Sequence, residues 1–437
     1  MRLPSGAGIR PVARATLAPL SFRVRIAMAH TPQTTSAPPS IPAGTALRRV
    51  MVDAQGRVAA YRVSTAGPRG SATSIAAFTQ QDEAGDGAPN LTRPTFLRCT
   101  CAELAACDLA GLDAATTVFD VRESAGMASA SLLQERAVLE SAHGRGFRLA
   151  FDAKLLQTTH AAFMPLTSFV ILDMAALEVG RAATVARALQ RRQQAETVAV
   201  QVRTPAVFDA LADAGVALYE GLWFAEPARR TATAPLGHAG LLELMNMVAQ
   251  DADVARIEAL LQRQPTTSFE LLRHLNAAGF GRRSEVTSFR QAVMTIGMAG
   301  LLRWTALLLA RTRAGAVAPA ASTLAVVRGR MMELLVRDGP ASGEADLAFI
   351  AGMFSMLDVL LQVPLEQALG LLCLPAVVTD TVLHDRGPLG RYLQIARACE
   401  KNDMATLSIL AERFGIPVAH AVRTHGQALA WAERLEH

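Results

Sequence analysis

Between about residue 45 and Pro227 the chain alternates short apolar, β-branched runs with stretches of helical period, and after Pro227 the runs stop. TVFDVRE (117–123), FRLAFDA (147–153), SFVILDM (168–174), TVAVQVR (197–203) and ALYEGLW (217–223) read as strands. They are almost continuously apolar, the pattern of strands covered on both faces. In 176–192, Val179, Ala182, Ala183, Ala186 and Leu189 recur at three and four residues, which is one face of a helix. Repeated strand–helix units imply a parallel sheet with right-handed crossovers. The spacing predicts a compact α/β unit, a TIM-like (β/α) barrel, over 45–227.

ARRTATAPLG, 228–237, reads as a linker, and from there to the end the period is helical. Leu241, Leu244, Met245 and Val248 form one stripe; Leu324, Val327, Met331, Leu334 and Leu335 form another. Thr267 with Glu270, and Ser288 with Gln291, have the spacing of capping boxes, in which side chains satisfy the orphan amides of a first helical turn. Pro364, Pro375, Pro388 and Pro417 punctuate the later helices. The expected division is a tail at 1–44, a barrel at 45–227, a linker at 228–237 and an all-α domain at 238–437.

Hydrophobic residues make up 51% of the chain, as expected for a globular protein. The most apolar run, DLAFIAGMFSMLDVLLQ, is interrupted by Asp346 and Asp358 and reads as a buried helix and not as a membrane span. The net charge of +5 suggests anionic partners at first sight. Its distribution argues otherwise. Arg2, Arg10, Arg14, Arg23, Arg25, Arg48 and Arg49 all precede the first acid, Asp53, and the remainder is slightly acidic. Nucleic acid is therefore not an expected partner. Residues 1–44, rich in Ala, Pro, Ser, Thr and Arg without sustained period, are expected to be disordered. A transit peptide and an upstream extension of a bacterial reading frame, with Met28 as alternative start, both remain open. The 5 cysteines are too few for a disulfide framework, so a reducing cytoplasm is the default. Cys99, Cys101 and Cys107 cluster without an evident fourth ligand, and zinc is not expected.

In a (β/α) barrel, chemistry sits at the carboxyl ends of the strands. Those ends carry Glu123, Asp152, Asp173, Arg203 and Glu220. VDAQGRVAAYRVST, LAFDAK, FVILDM and YEGLWFAEP, in that order, resemble the EAL domain, the bacterial phosphodiesterase fold that hydrolyses cyclic di-GMP. The resemblance covers 45–227, and the closing YEGLWFAEP is its most specific segment. The departures are concentrated at the expected site. Arg62 stands where the family has its signature Glu, and Ala66 where an arginine follows. Asp152 is followed by Ala153 in place of a second Asp. Ile171 replaces a lysine, Val200 and Arg203 replace two glutamates, and Glu220 replaces the closing glutamine. Two-metal hydrolysis needs carboxylates that hold two dications about 3.5–4 Å apart. Arg62 puts a cation where a ligand is due. The expectation is therefore a degenerate site with no metal, no cofactor and no enzymatic activity, and with cyclic di-GMP an unlikely ligand. Arg62 and Arg203 are expected to neutralise Asp152, Asp173 and Glu123. Contact with phosphates is their alternative use, since a guanidinium suits bidentate anion contacts.

LLRHLNAAGFGRRSEVTSFRQAVMTIGMAGLLRWTALLLA, 271–310, and FIAGMFSMLDVLLQVPLEQAL, 349–369, resemble the HDOD domain. Asn276, Ser288, Ala292, Gly297 and the pair Arg303–Trp304 fall in register with it. That family is related to the HD phosphohydrolases and lacks their metal ligands. Here Ser355–Met356 stands where an HD enzyme reads His-Asp, while His384–Asp385 precedes a turn, RGPLG. His274 reads as an ordinary polar residue of a helix. The tandem resemblance implies a bacterial signalling protein. The preferred expectation is a regulatory scaffold working through protein partners, with Asn276, Arg303 and Trp304 as an interaction surface. A cyclic di-GMP receptor or a residual phosphodiesterase is the alternative.

Overall fold

The structure is a computed structural model, and it describes residues 46–65, 75, 78, 92–122, 132–154, 159–226, 239–263, 289–311 and 319–436. The basic tail, the linker at 228–237, Glu123, His274, Asn276, Ser288 and the Thr267–Glu270 box lie outside these residues.

Eight strands close into a barrel in sequence order: β1 Ala46–Val52, β2 Val58–Thr65, β3 Thr95–Thr100, β4 Thr117–Arg122, β5 Arg148–Asp152, β6 Phe169–Asp173, β7 Glu196–Val200 and β8 Leu218–Glu220. The strands from β2 to β8 pair in parallel. β1 runs antiparallel to both β2 and β8, so the sheet is not wholly parallel as the strand–helix pattern predicts. The cause is local. Asp53 closes a tight turn between β1 and β2, its Oδ1 accepting from the amides of Gln55 and Arg57 at 2.9 Å each. Gly56 supplies the positive φ of 69° that this turn requires. β1, β2 and β3 are absent from the apolar runs read as strands, and of these only β2 falls in a segment that carries the resemblance.

The crossover helices include α1 Cys101–Ala106, α2 Leu132–Gly144, α3 Val179–Arg192 and α4 Pro205–Ala212. Thr100 and Glu103 form a reciprocal capping box at the start of α1. Thr204 caps α4, whose first residue is Pro205. Side chains alternate across each strand, so every second residue faces the barrel axis. Met51, Ala60, Phe96, Val118, Ala150, Phe169, Ile171, Val198 and Val200 make up this apolar interior.

The second half is helical: α5 Ala239–Ala249, α6 Val254–Gln262, α7 Phe289–Arg311, α8 Pro319–Arg337, α9 Ala345–Phe354, α10 Leu357–Leu361, α11 Leu365–Gly370, α12 Ala376–His384, α13 Gly387–Lys401, α14 Met404–Phe414 and α15 Val418–Glu436. α7 breaks at Gly297, where φ is 70° and ψ is 176°. The α8–α9 crossing is built on glycine. A Cβ on Gly352 would stand 2.7 Å from Gly329 Cα, and one on Gly329 would stand 2.8 Å from Phe349 O. No helix among the described residues is long and apolar enough to cross a membrane.

Residues 39–437 form one compact unit. A single buried cluster runs from the outer faces of the barrel strands (Val170, Leu172, Ala199, Tyr219) into the helices (Leu324, Met331, Phe349, Leu429). Polar bonds cross the same boundary. Glu433 of α15 accepts from the Thr92 hydroxyl at 2.6 Å and the Thr92 amide at 3.1 Å. The Ala320 amide, at the start of α8, donates to Gly56 O at 2.8 Å.

Candidate binding site at the barrel mouth

Above the apolar interior, the inward positions at the carboxyl ends of the strands turn polar. β2 contributes Arg62, β3 Arg98, β4 Asp120, β5 Asp152, β6 Asp173 and β8 Glu220; Arg49 enters from the antiparallel β1. Arg62 is 8% exposed, and Asp120 and Glu220 are 2% exposed. The Arg62 guanidinium donates to Asp120 Oδ2 through Nε at 3.0 Å and Nη2 at 2.6 Å, and to Glu220 Oε2 through Nη1 at 2.8 Å. Glu220 Oε1 in turn accepts from Arg49 Nη1. Burial would raise the Glu220 carboxyl, but Arg62 and Arg49 outweigh it and hold it below the usual range. For Arg62, burial acts to lower its pKa, yet its two carboxylate partners win and raise it.

Arg98 differs. Its side chain is 46% exposed and reaches Asp120 only at 3.9 Å. Burial and then repulsion from Arg62 lower its pKa. An anion arriving at the mouth would relieve that repulsion.

Asp152 and Asp173 stand apart from the arginine network. Asp152 Oδ1 accepts from the Lys154 amide at 2.7 Å; Asp173 Oδ1 accepts from the Ala175 amide and from Gln201 Nε2, both at 3.0 Å. Burial and the neighbouring Asp173 raise the Asp152 carboxyl, the Lys154 amide opposing them. Gln201 has a φ of 59°, a strained value for a residue with a Cβ.

The structure thus joins Arg62 to Glu220, as members of one network, and adds Arg49, Arg98 and Asp120, which sequence reading missed. Asp120 and Arg98 carried a signal: each is a charged residue at an inward position of an otherwise apolar strand. Arg62 pairs with Asp120 and Glu220, which sit two strands away on either side of it, while Asp152 and Asp173 bind backbone amides and Gln201; Glu123 lies outside the described residues. Arg203 is exposed and has no carboxylate partner among the described residues. No group of three His, Cys, Asp or Glu side chains among the described residues could hold a metal ion. The two dications implied by the resemblance do not fit this mouth, where a guanidinium lies between Asp120 and Glu220. Cys99 and Cys101 are buried thiols whose pKa values burial pushes up, that of Cys101 to about 12.

In the helical half, Trp304 is 5% exposed and packs with Leu244, Ile257 and Leu301, so it offers no exposed anchor for a partner. Arg303 donates to the buried Glu333 at 2.7 Å and lies 4.1 Å over the Phe349 ring. Ser355 is buried, accepting from Arg328 Nη1 and donating to Gly352 O, both at 2.7 Å. Asp385 ends α12 in the left-handed region and binds Arg397 at 2.7 Å.

Residues 238–360 match the HDOD domain. The barrel and the helical region carrying this domain give the fold class that the sequence predicts. Among curated proteins, the cyclic di-GMP phosphodiesterase CdgJ of Vibrio cholerae is 27% identical over 263 residues, 59% of this chain and 61% of its own length. The uncharacterized protein YuxH of Bacillus subtilis is 24% identical over 243 residues, 54% of this chain and 59% of its own length. This chain therefore spans about three fifths of the curated relatives it matches. Solved structures similar to it include a standalone EAL protein of Vibrio cholerae in its c-di-GMP-bound form, 16% identical with a TM-score of 0.29, covering 44% of this chain and 93% of that one. Two expectations are corrected here. A relative named as a cyclic di-GMP phosphodiesterase overturns the expectation that the chain is no enzyme. The same relative overturns the expectation that cyclic di-GMP is an unlikely ligand. Both expectations leaned on the identity of single positions, above all Arg62, and a changed side chain at a site does not by itself exclude its ligand.

Proposed function

We propose that this chain is a cyclic di-GMP-responsive regulator, in which the barrel mouth takes the dinucleotide and the helical region passes its occupancy to protein partners. The observation that carries the reading is the set of guanidinium groups at the mouth: Arg49 and Arg62, held in place by Glu220, and Arg98, half exposed beside them. Cyclic di-GMP presents two phosphodiester anions and two guanines. A guanidinium fork binds phosphate oxygens bidentately and matches the O6 and N7 acceptors of guanine. The free thiols of Cys99, Cys101 and Cys399 support a cytoplasmic setting for such a regulator.

Titration calorimetry with cyclic di-GMP tests this. The wild-type chain is expected to bind, and Arg98→Ala to bind at least about tenfold more weakly, the worth of a charge-assisted hydrogen bond. No heat from the wild type at the highest soluble dinucleotide concentration would sink the idea. Turnover is the second reading, favoured by the relative named as a cyclic di-GMP phosphodiesterase and not by the carboxylates of the mouth. Chromatography for linear dinucleotide after incubation with Mg²⁺ or Mn²⁺ decides it.

A further inference from the structure

Beside the mouth, on the far side of Glu220, lies a cleft of about 230 Å³ between the barrel and the helices. β1 lends it Arg48 and Arg49, the segment after β7 lends Arg203, α13 ends in it with Lys401, and α15 lends His425. Two acids line it, Glu220 and Glu400, and both are engaged. Glu220 is held by Arg62 and Arg49. Glu400 takes two bonds from Arg328, at 2.8 and 2.6 Å. Arg203 and Lys401 have no carboxylate partner among the described residues. Arg48 is buried in the same wall and stacks over Phe78, 5.1 Å from the ring centroid. Leu222, Leu324 and Leu429 complete the wall with apolar surface, which lowers the local dielectric and strengthens whatever charge interaction forms there.

Cations from three separated parts of the chain thus converge on a small space whose acids are already neutralised. We infer that this cleft, which shares the Arg49–Glu220 wall with the mouth and opens on its other side, is a second site for a phosphate-sized oxyanion clamped between barrel and helices by Arg203 and Lys401. The volume sets the size of the ligand group: drug-sized ligands occupy about 300–1,000 Å³, so a phosphate fits and a whole nucleotide does not. Inorganic phosphate and the terminal phosphate of a nucleoside monophosphate share the chemistry required.

The test uses the full chain, with calorimetric titration of inorganic phosphate, GMP and guanosine at fixed ionic strength. Binding of phosphate and GMP alike assigns the site to the free ion. Binding of GMP without phosphate assigns it to a nucleotide terminus, with the base outside the cleft. Lys401→Ala and Arg203→Gln are both exposed changes and should each weaken binding about fivefold, as expected for loss of one partly screened charge contact. Lys401→Ala should not shift the cyclic di-GMP titration, which separates this site from the mouth. Three results would overturn the inference: no binding of phosphate or GMP, undiminished binding in both variants, or displacement of the bound anion by saturating cyclic di-GMP.

Discussion

At the scale of single residues, the barrel depends on one guanidinium. Arg62 makes two bonds to one oxygen of Asp120 and shares Glu220 with Arg49. Removing one partner from a buried ion network costs far more than the network itself contributes, because the remaining charges have lost water and gained nothing. Arg62→Met should therefore destabilise the chain by about 3–5 kcal/mol in a urea titration. Adding Asp120→Asn and Glu220→Gln to it should recover most of that loss, since the burden is uncompensated charge and not missing volume. His425 makes a prediction of the opposite kind. Burial, and then the neighbouring Arg48, lower its pKa from 6.5 to about 4. The fold favours the neutral ring, so this contribution to stability is complete above pH 6.5 and is lost as the pH falls toward 4. The loss amounts to about 3 kcal/mol. His425→Gln should flatten the stability profile between those limits relative to wild type.

At the scale of elements, the clearest strands in the sequence were β4 to β8, whose apolar runs are long and whose helices follow at regular spacing. β1, β2 and β3 are hidden from that pattern because ALRRVMV, VAAYRVST and TFLRCT each carry an arginine at an inward position, Arg49, Arg62 and Arg98, which breaks the apolar run. The same arginines help build the candidate site. Local propensity and site chemistry thus pulled in opposite directions, and the site residues hid the strands that hold them. The helical half was legible as helix from its stripes, but not which helices cross tightly. That depends on Gly329 and Gly352, which leave no mark in a hydrophobic pattern. Gly352→Ala would put a Cβ 2.7 Å from the Gly329 backbone. Overpacking of this sort costs about 1–3 kcal/mol, and contact with backbone places it at the upper end. Gly111→Ala meets nothing within 4 Å and serves as the neutral control in the same denaturation assay.

At the scale of the whole molecule, the sequence divides the chain into a barrel and a helical domain joined by 228–237 and leaves their packing open, and the structure has one core shared by both. Tyr219 and Leu172 from barrel strands belong to the same buried cluster as Met331 and Leu429 from helices. A protease site inserted at 228–237 and then cut should leave two fragments that still co-elute on gel filtration and part only in denaturant. Separation in native buffer would show that the shared core is not binding the halves. A further bond crosses the seam. Arg49 holds Glu220 on one side, and on the other donates through Nε at 3.1 Å and Nη2 at 2.8 Å to Asn402 Oδ1, the amide being assigned from its hydrogen-bond surroundings. Asn402 terminates α13 in the left-handed region, with a φ of 53°. One arginine therefore has a hand on the barrel's acid and a hand on a helix end. Whatever pulls Glu220 away from it leaves Arg49 leaning on the helix alone, and whatever straightens that helix end tugs at the barrel. Any message between the halves would have a lever about one side chain long.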